Sequence, residues 1–150
     1  MIQSSRRPNT VVLADDDEDD RTLLQRAWRE CGVASSLTTV SDGVELLEYL
    51  RHGESDGVPS EPPRPGLILL DLNMPRMDGR EVLRELKADP MLRRIPVVVL
   101  TTSKADEDIR CSYDLGAGSY ISKPVGFDEL SEAVRRLGEY WFDIVELPDR

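Results

Sequence analysis

The segment GLILLDLNMP, residues 66–75, places four consecutive apolar residues directly before an aspartate. A short apolar run between turn-forming residues is typical of a strand that is buried on both faces. Comparable or weaker runs recur along the chain, and each is followed by a segment whose apolar residues have helical spacing. The predicted strands are residues 10–14, 37–40, 67–71, 96–101 and 119–122.

This alternation predicts an α/β fold in which a strand and a helix are repeated five times. Parallel strands with helices on both faces and right-handed crossovers are the usual arrangement of such a chain. Ligands bind to these sheets outside the carboxyl ends of the strands, where the strand order reverses. The residues that follow each strand are therefore the first candidates for a functional site.

The composition narrows the class of protein. The 150 residues suit one domain, and the net charge of −10 without a basic patch argues against binding to nucleic acid. Cys31 and Cys111 belong to no CxxC motif, so we expect two free thiols in a reducing compartment. The sequence has no apolar stretch of 18 residues and no signal peptide, which predicts a cytoplasmic protein without a membrane segment.

The expected organisation is a flexible N-terminus over residues 1–9, a domain over residues 10–140 and a C-terminal arm over residues 141–150. Residues 53–66 contain four prolines and are expected to form a surface loop.

The strand ends bring together residues that suit a metal and a phosphoryl group. Asp15 and Asp16 follow the first strand, Asp71 ends the third, Thr101 ends the fourth and Lys123 follows the fifth. Clustered carboxylates repel one another unless a cation neutralises them, and oxygen ligands favour magnesium.

Asp16 and Asp71 are the predicted direct ligands, with Asp15 assisting and the backbone carbonyl of Asn73 as a further ligand. Lys123 is predicted to face incoming phosphoryl oxygens, and Thr101 to donate a hydrogen bond to the same group.

The acidic run, residues 15–20, has two other interpretations. Consecutive acids often form only the solvated start of a helix. A calcium-binding EF-hand loop that begins at Asp15 is excluded, because its sixth position is Asp20 rather than glycine and its twelfth is Arg26 rather than glutamate.

Together these residues resemble the receiver domain of two-component response regulators, over roughly residues 10–140. The matching motifs are Asp15–Asp16, LLDLNMP at residues 69–75 with MDG at 77–79, Thr101–Thr102, and YISKP at 120–124. The resemblance implies a flavodoxin-like sheet of order 2-1-3-4-5 and a cis bond between Lys123 and Pro124.

The resemblance also implies a function. Asp71 is expected to accept a phosphoryl group from a phosphohistidine on a sensor histidine kinase, so the chain is a phosphoacceptor and not an enzyme. Thr101 and Tyr120 are expected to act as the switch, with Thr101 moving toward the phosphoryl group and Tyr120 turning inward. The chain is most similar to the small response regulators that partner phytochromes, although Asp17 stands where such proteins often have asparagine.

Three other functions fit the sequence less well. An NTPase is disfavoured because the chain lacks a GxxxxGK[ST] loop, and a dehalogenase-type phosphatase because position 73 is asparagine rather than aspartate. A receiver-like binding module that takes no phosphate is disfavoured by the intact acids, Thr101 and Lys123.

Five of the residues after the last predicted helix are large and apolar. With no room for an output domain, signalling is expected to proceed by contact with a downstream protein that the sequence does not identify. Exposed apolar surface usually marks an interface, so we expect a homodimer through the last helix and the arm. The alternative is an arm that folds back on its own core. The predicted dimer residues are Trp141, Phe142, Ile144, Val145 and Leu147.

Overall fold

The computed structural model describes residues 10–33, 35–51 and 65–144, with side chains as far as residue 142. Five strands alternate with five helices in this part of the chain. The elements are β1 Thr10–Ala14, α1 Glu18–Glu30, β2 Ser36–Val40, α2 Gly43–Arg51, β3 Leu67–Leu70, α3 Gly79–Ala88, β4 Val97–Thr101, α4 Asp106–Asp114, β5 Ser119–Ser122 and α5 Phe127–Gly138. A 3-10 turn, Leu92–Arg94, precedes β4, and a π-helical segment, Glu139–Ile144, continues α5.

The strands form one parallel sheet of order β2-β1-β3-β4-β5, which confirms the predicted fold. The order reverses between β1 and β3, and Ala14 pairs with Leu70 at the carboxyl ends of these two strands. Asp15 and Asp71 therefore leave the sheet side by side at the reversal. The backbone N–H of Asp71 still donates to the carbonyl of Ala14 at 3.0 Å, although β3 ends one residue earlier than predicted.

Alternate residues of the central strands enter two separate apolar layers, as the two-residue period of a strand requires. Val12, Ile68 and Val99 belong to the layer under α2 and α3. Leu13, Leu69 and Val98 belong to the layer under α1 and α5. Burial on both sides explains why these strands have no polar face, and it leaves their carboxyl ends as the place for charged side chains.

The start of the C-terminal arm differs from its prediction. Trp141 was expected to be exposed on a monomer, but it is 8% exposed and packs in the layer under α1 and α5, with Phe142 partly buried against the same layer. The reason is its spacing from Val134 and Leu137, since positions i, i+3 and i+7 share one helix face and α5 continues into the π-helical segment. The exposure predicted for Trp141 is therefore wrong, and this residue follows the alternative of an arm packed on its own core.

Several predictions lie outside the described residues. These are the flexible N-terminus at residues 1–9, most of the proline-containing loop, the side chain of Ile144, and Val145 and Leu147. Within the described residues, both cysteines are free, as predicted. None of the described helices combines the length and apolarity that crossing a membrane requires.

Candidate functional site

Three carboxylates meet at the reversal of strand order, as predicted. Asp15, Asp16 and Asp71 each offer an oxygen, and these oxygens lie within 4.8 Å of one another. Oxygen ligands at such distances suit a hard divalent cation. We call these three acids, together with Asp20 and Lys123, the acidic pocket.

Backbone contacts fix the position of Asp15. Its N–H donates to the carbonyl of Val40 at 3.1 Å, its carbonyl accepts from the Arg21 guanidinium at 2.8 Å, and its carboxylate accepts from the N–H of Asp17 at 3.0 Å. Asp15 is 1% exposed, whereas the neighbouring Asp16 is exposed. The buried acid is therefore held rigidly, and the exposed one provides the access from solvent.

Lys123 brings a positive charge into the pocket from the end of β5. Its Nζ lies 2.7 Å from Asp15 Oδ2, 2.7 Å from Asp20 Oδ2 and 3.6 Å from Asp71 Oδ2. The backbone N–H of Lys123 donates to the carbonyl of Thr101 at 2.7 Å, which ties the ends of β4 and β5 together. The lysine thus has two close carboxylates, and the predicted acceptor Asp71 is the more distant third.

Burial and charge act against each other in this pair. Burial raises the pKa of Asp15, and the hydrogen bond from Lys123 offsets only part of that rise. Burial lowers the pKa of Lys123, but the hydrogen bonds to Asp15 and Asp20 outweigh it, and the pKa rises above its ordinary value. Lys123 is therefore fully charged at neutral pH, yet one ammonium does not fully compensate the burial of Asp15, and a further cation bound here would stabilise its charged form.

The loop after Asp71 is packed against the start of α3. The N–H of Asn73 lies 3.4 Å from Asp71 Oδ1, and the N–H of Gly79 donates to the carbonyl of Leu72 at 2.9 Å. A Cβ at Gly79 would come within 2.5 Å of the Asp71 carbonyl oxygen, so only glycine permits this approach. The first residue of α3 therefore supports the backbone of Asp71 directly.

Thr101 and Tyr120 lie near the ends of the neighbouring strands. Thr101 is fully buried, and its hydroxyl has no hydrogen-bond partner among the residues that the structure describes. The Tyr120 hydroxyl donates to the carbonyl of Ser103 at 2.9 Å, and the ring packs partly against the layer under α2 and α3. The hydroxyl of Thr101 is thus buried and able to donate a further hydrogen bond. Tyr120 is hydrogen-bonded to the loop that follows Thr101.

A second set of charges, which sequence reasoning missed, joins α3 to α4. Arg80 Nη2 lies 2.5 Å from Asp108 Oδ1, and the Ser103 hydroxyl donates to Asp108 Oδ2 at 2.6 Å. We call Arg80, Ser103 and Asp108 the α3–α4 bracket. The hydrogen bond from Ser103, followed by that from Arg80, lowers the pKa of Asp108. The bracket holds the loop after Thr101 in place, and no sequence spacing reveals it because its members lie on three separate segments.

A third pair, also missed, fixes the loop that follows Asp71. Arg76 has a φ of 65°, in the left-handed region, and its guanidinium donates to both carboxylate oxygens of Asp42 at 2.9 and 3.1 Å. The hydrogen bond from Arg76 lowers the pKa of Asp42. Asp42 also accepts from the N–H of Glu45 at the start of α2, so this pair links the loop to a helix.

Asp20 is the pocket residue whose contact was not predicted. It belongs to the acidic run, but only the folded chain, in which α1 packs on α5 and Lys123 follows β5, shows that its carboxylate reaches Lys123. Its place in the first turn of α1, after the N-cap Asp17, was the only signal in the sequence.

The comparisons with known proteins agree with this geometry. Residues 11–135 match the family model of the response regulator receiver domain. The chain is 38% identical to the response regulator Rcp1 of Synechocystis sp. over 99% of both chains.

Two solved structures are similar throughout. The phosphorylated cyanobacterial phytochrome response regulator RcpA superposes with a TM-score of 0.85 at 42% identity, covering 95% of this chain and 100% of that one. The Mn²⁺-bound form of Rcp1 superposes with a TM-score of 0.82 at 38% identity, with the same coverage. With the strand order, the acidic pocket and the family match in agreement, the chain belongs to the response regulator receiver domain family.

Proposed function

We propose that Asp71 accepts a phosphoryl group from the phosphohistidine of a sensor histidine kinase, and that the phosphorylated chain signals through contacts with other proteins. The convergence of Asp71, two further acids and Lys123 at the reversal of strand order carries this proposal. Transfer breaks the P–N bond of the phosphohistidine and forms a P–O bond to the Asp71 carboxylate. Transfer of this kind depends on positioning and charge neutralisation, which this pocket supplies.

The residues of this chain divide the work of transfer. Asp71 offers an oxygen for in-line attack, and Lys123, 3.6 Å away, is placed to neutralise charge on the phosphoryl oxygens. The buried Thr101 hydroxyl, which has no hydrogen-bond partner among the described residues, is the proposed donor to the phosphoryl group. We infer that Thr101 moves toward the modified Asp71, and that Tyr120, which is bonded to the same loop through Ser103, follows it inward.

The donor set fits a divalent cation such as Mg²⁺. Asp16 and Asp71 would hold it, with Asp15 assisting and the Asn73 carbonyl as a further ligand, because all of these are oxygen donors. The buried Asp15, whose pKa is raised by burial, gains most from such a charge. When bound, the cation neutralises charge on the transferred group. The Mn²⁺-bound form of Rcp1 supports this assignment by similarity.

A mass measurement tests the acceptor. With Mg²⁺ and a small phosphodonor, we expect the wild-type chain to gain the mass of one phosphoryl group and Asp71→Asn to gain nothing. Asp106→Asn, which removes an exposed acid at the start of α4, is the matched control and should behave as wild type. An equal gain in Asp71→Asn refutes the acceptor, and no gain in the wild type favours a binding module that takes no phosphate.

The proposed partner is a phytochrome-type sensor kinase in the cytoplasm. The similarity to the cyanobacterial phytochrome response regulator supports this choice. A groove beside the pocket offers apolar contact, since Leu23 is 40% exposed and Val125 is fully exposed, and it extends to Asp15 and Lys123. A kinase helix in this groove would have its histidine close to Asp71.

The role of the groove in kinase binding can be tested separately from the role of the pocket in phosphorylation. Val125→Glu should slow transfer from a phytochrome-type kinase but leave phosphorylation by a small phosphodonor unchanged. Met91→Glu, at another exposed apolar residue, is the control and should affect neither reaction. Equal transfer to wild type and Val125→Glu removes the groove from the proposal.

We also propose that the chain forms a homodimer through α5 and the residues that follow it. Tyr140 is half exposed beside the buried Trp141, with which it makes an edge-on ring contact at 5.3 Å. Ile144, Val145 and Leu147 remain the predicted arm contacts. Light scattering on the full chain should give a dimer, and a chain ending at Ile144, which keeps Trp141, should be a monomer. A dimer that survives this truncation excludes the residues after Ile144 as contacts.

A further inference from the structure

Lys123 is shared unequally among the carboxylates of the pocket. Two of them, Asp15 and Asp20, lie at 2.7 Å from its ammonium, and Asp71 lies at 3.6 Å, beyond hydrogen-bond distance. An ammonium has three donors, and two are already engaged. A phosphoryl group on Asp71 therefore meets a lysine that is committed to other acids.

The two close acids are not equivalent. Asp15 belongs to the group of carboxylates that can hold a metal, whereas Asp20 does not. A cation bound beside Asp15 weakens the hold of that carboxylate on Lys123, because the cation attracts the same negative charge. Asp20, on the first turn of α1, keeps its full attraction for the lysine.

The exposure of the two acids also differs. The Asp15 side chain is 2% exposed and the Asp20 side chain 38%. An ion pair with a partly exposed carboxylate is weaker, since water competes for both partners and salt screens the attraction. The contact with Asp20 is therefore weak enough for Lys123 to exchange it for a new anion.

We propose that Asp20 is a positioning residue that competes with the phosphoryl group on Asp71 for the ammonium of Lys123. This inference rests on the proposed function of Asp71. Asp20 holds the lysine toward α1 before phosphorylation and lowers the affinity of the site for a phosphoryl group afterwards. The acidic run thus contains metal ligands at its start and a competitor for the lysine one helical turn later.

Binding of beryllofluoride, a stable phosphoryl analogue, at saturating Mg²⁺ tests the competition by calorimetry on the full chain. Asp20→Asn keeps the shape of the side chain and removes its charge. We expect this variant to bind beryllofluoride about fivefold more tightly than wild type, which corresponds to the upper end of the interaction energies of exposed ion pairs. Asp20→Glu keeps the charge and should restore binding close to that of wild type.

Asp19→Asn is the matched control. Asp19 is the exposed neighbour of Asp20, and its side chain makes no hydrogen bond or ion pair with the described residues. The Asp19→Asn substitution removes one negative charge from the same turn of α1. Because Asp19 does not contact Lys123, this substitution should leave the affinity for beryllofluoride unchanged. An Asp19→Asn variant that binds as tightly as Asp20→Asn would show a general effect of net charge and would overturn the proposal.

The salt dependence of beryllofluoride binding distinguishes competition by Asp20 from a purely structural role of this residue. The affinity difference between wild type and Asp20→Asn should shrink as sodium chloride is raised, because salt screens the Asp20 contact in the wild type. Equal or weaker binding by Asp20→Asn, or a difference that salt leaves unchanged, overturns the competition. Loss of binding in wild type itself, with Asp71→Asn as reference, would instead refute the proposed function.

Discussion

The acidic pocket and the α3–α4 bracket both join aspartates to a cation, but their balance of charges is opposite. In the pocket, one ammonium is surrounded by Asp15, Asp20 and the more distant Asp71. In the bracket, the single carboxylate of Asp108 accepts from two donors, the Arg80 guanidinium and a serine hydroxyl.

The pKa shifts follow this balance. Burial raises the pKa of Asp15, whereas the donors of the bracket lower that of Asp108. A site with more buried acids than donors stores repulsion that a ligand can relieve. A site with donors to spare is complete without a ligand, and its function is to hold segments together.

Magnesium should separate the two regions most strongly. Mg²⁺ at about 100 times its dissociation constant should raise the free energy of unfolding of wild type by about 2.7 kcal/mol, because it binds only the folded chain. Asp15→Asn should lose most of this gain, and Asp108→Asn should keep it in full. Urea unfolding with and without Mg²⁺ measures both variants, and loss of the gain in Asp108→Asn would break the distinction.

Without a divalent cation, removing an acid should stabilise the chain when the acid lies in the pocket and destabilise it when the acid lies in the bracket. Asp71→Asn in EDTA should raise the free energy of unfolding by about 1–2 kcal/mol, because it removes one of three clustered negative charges. Urea unfolding monitored by circular dichroism gives the value. A destabilised Asp71→Asn protein would mean that Lys123 already compensates the pocket.

The bracket should respond in the other direction. Asp108→Asn should lower the free energy of unfolding by about 1 kcal/mol at pH 7, since Arg80 and Ser103 lose a charged acceptor. The pKa of Asp108 is below its usual 3.8 in the folded chain, so the unfolded chain binds the proton more readily. The stabilisation is complete above pH 3.8 and is lost as the pH falls through the folded pKa.

Comparison of wild type with Asp108→Asn between pH 7 and pH 3 checks that sign. The difference in unfolding free energy should stay constant down to about pH 4 and then shrink. For Asp15 the sign is reversed: its raised folded pKa means that its contribution is present below pH 3.8 and is lost as the pH rises through the folded pKa.

The smallest effect is expected from the ion pairs on the surface of α5. Arg135 and Arg136 lower the pKa of Glu132 to about 2, but all three side chains are largely exposed. Water and salt screen such pairs, so Glu132→Gln should leave the melting temperature unchanged within error. A clear loss of stability would mean that the short distances between the charged groups determine the stability of an ion pair, and not the balance of donors and acids around it.

The fold was predictable because the apolar runs have few other structural solutions. Residues 67–70 and 97–100 contain no polar face, which requires cover on both sides and hence a parallel sheet between two layers of helices. The clustering of Asp15, Asp16 and Asp71 followed from the same reasoning, since parallel strands end at one edge.

The contacts between segments were not predictable. The bond from Asp20 to Lys123 joins residues 103 positions apart, and its distance depends on where tertiary packing places the first turn of α1 relative to the residue that follows β5. The burial of Trp141 depends on how far α5 continues, since the apolar spacing of residues 134, 137 and 141 fits either a buried helix face or an exposed arm. The spacing of residues in the sequence determines which side chains share one face of a helix or strand. Tertiary packing determines which other element that face contacts.

The position of Trp141 also determines what optical spectroscopy can detect. The chain has two tryptophans, Trp28 and Trp141, and both are buried in the layer under α1 and α5. Tryptophan fluorescence therefore reports mainly on that half of the domain. Rearrangements of α3 and α4 on the other side of the sheet would be nearly silent, and a tryptophan placed at the exposed Tyr113 of α4 would make that half visible.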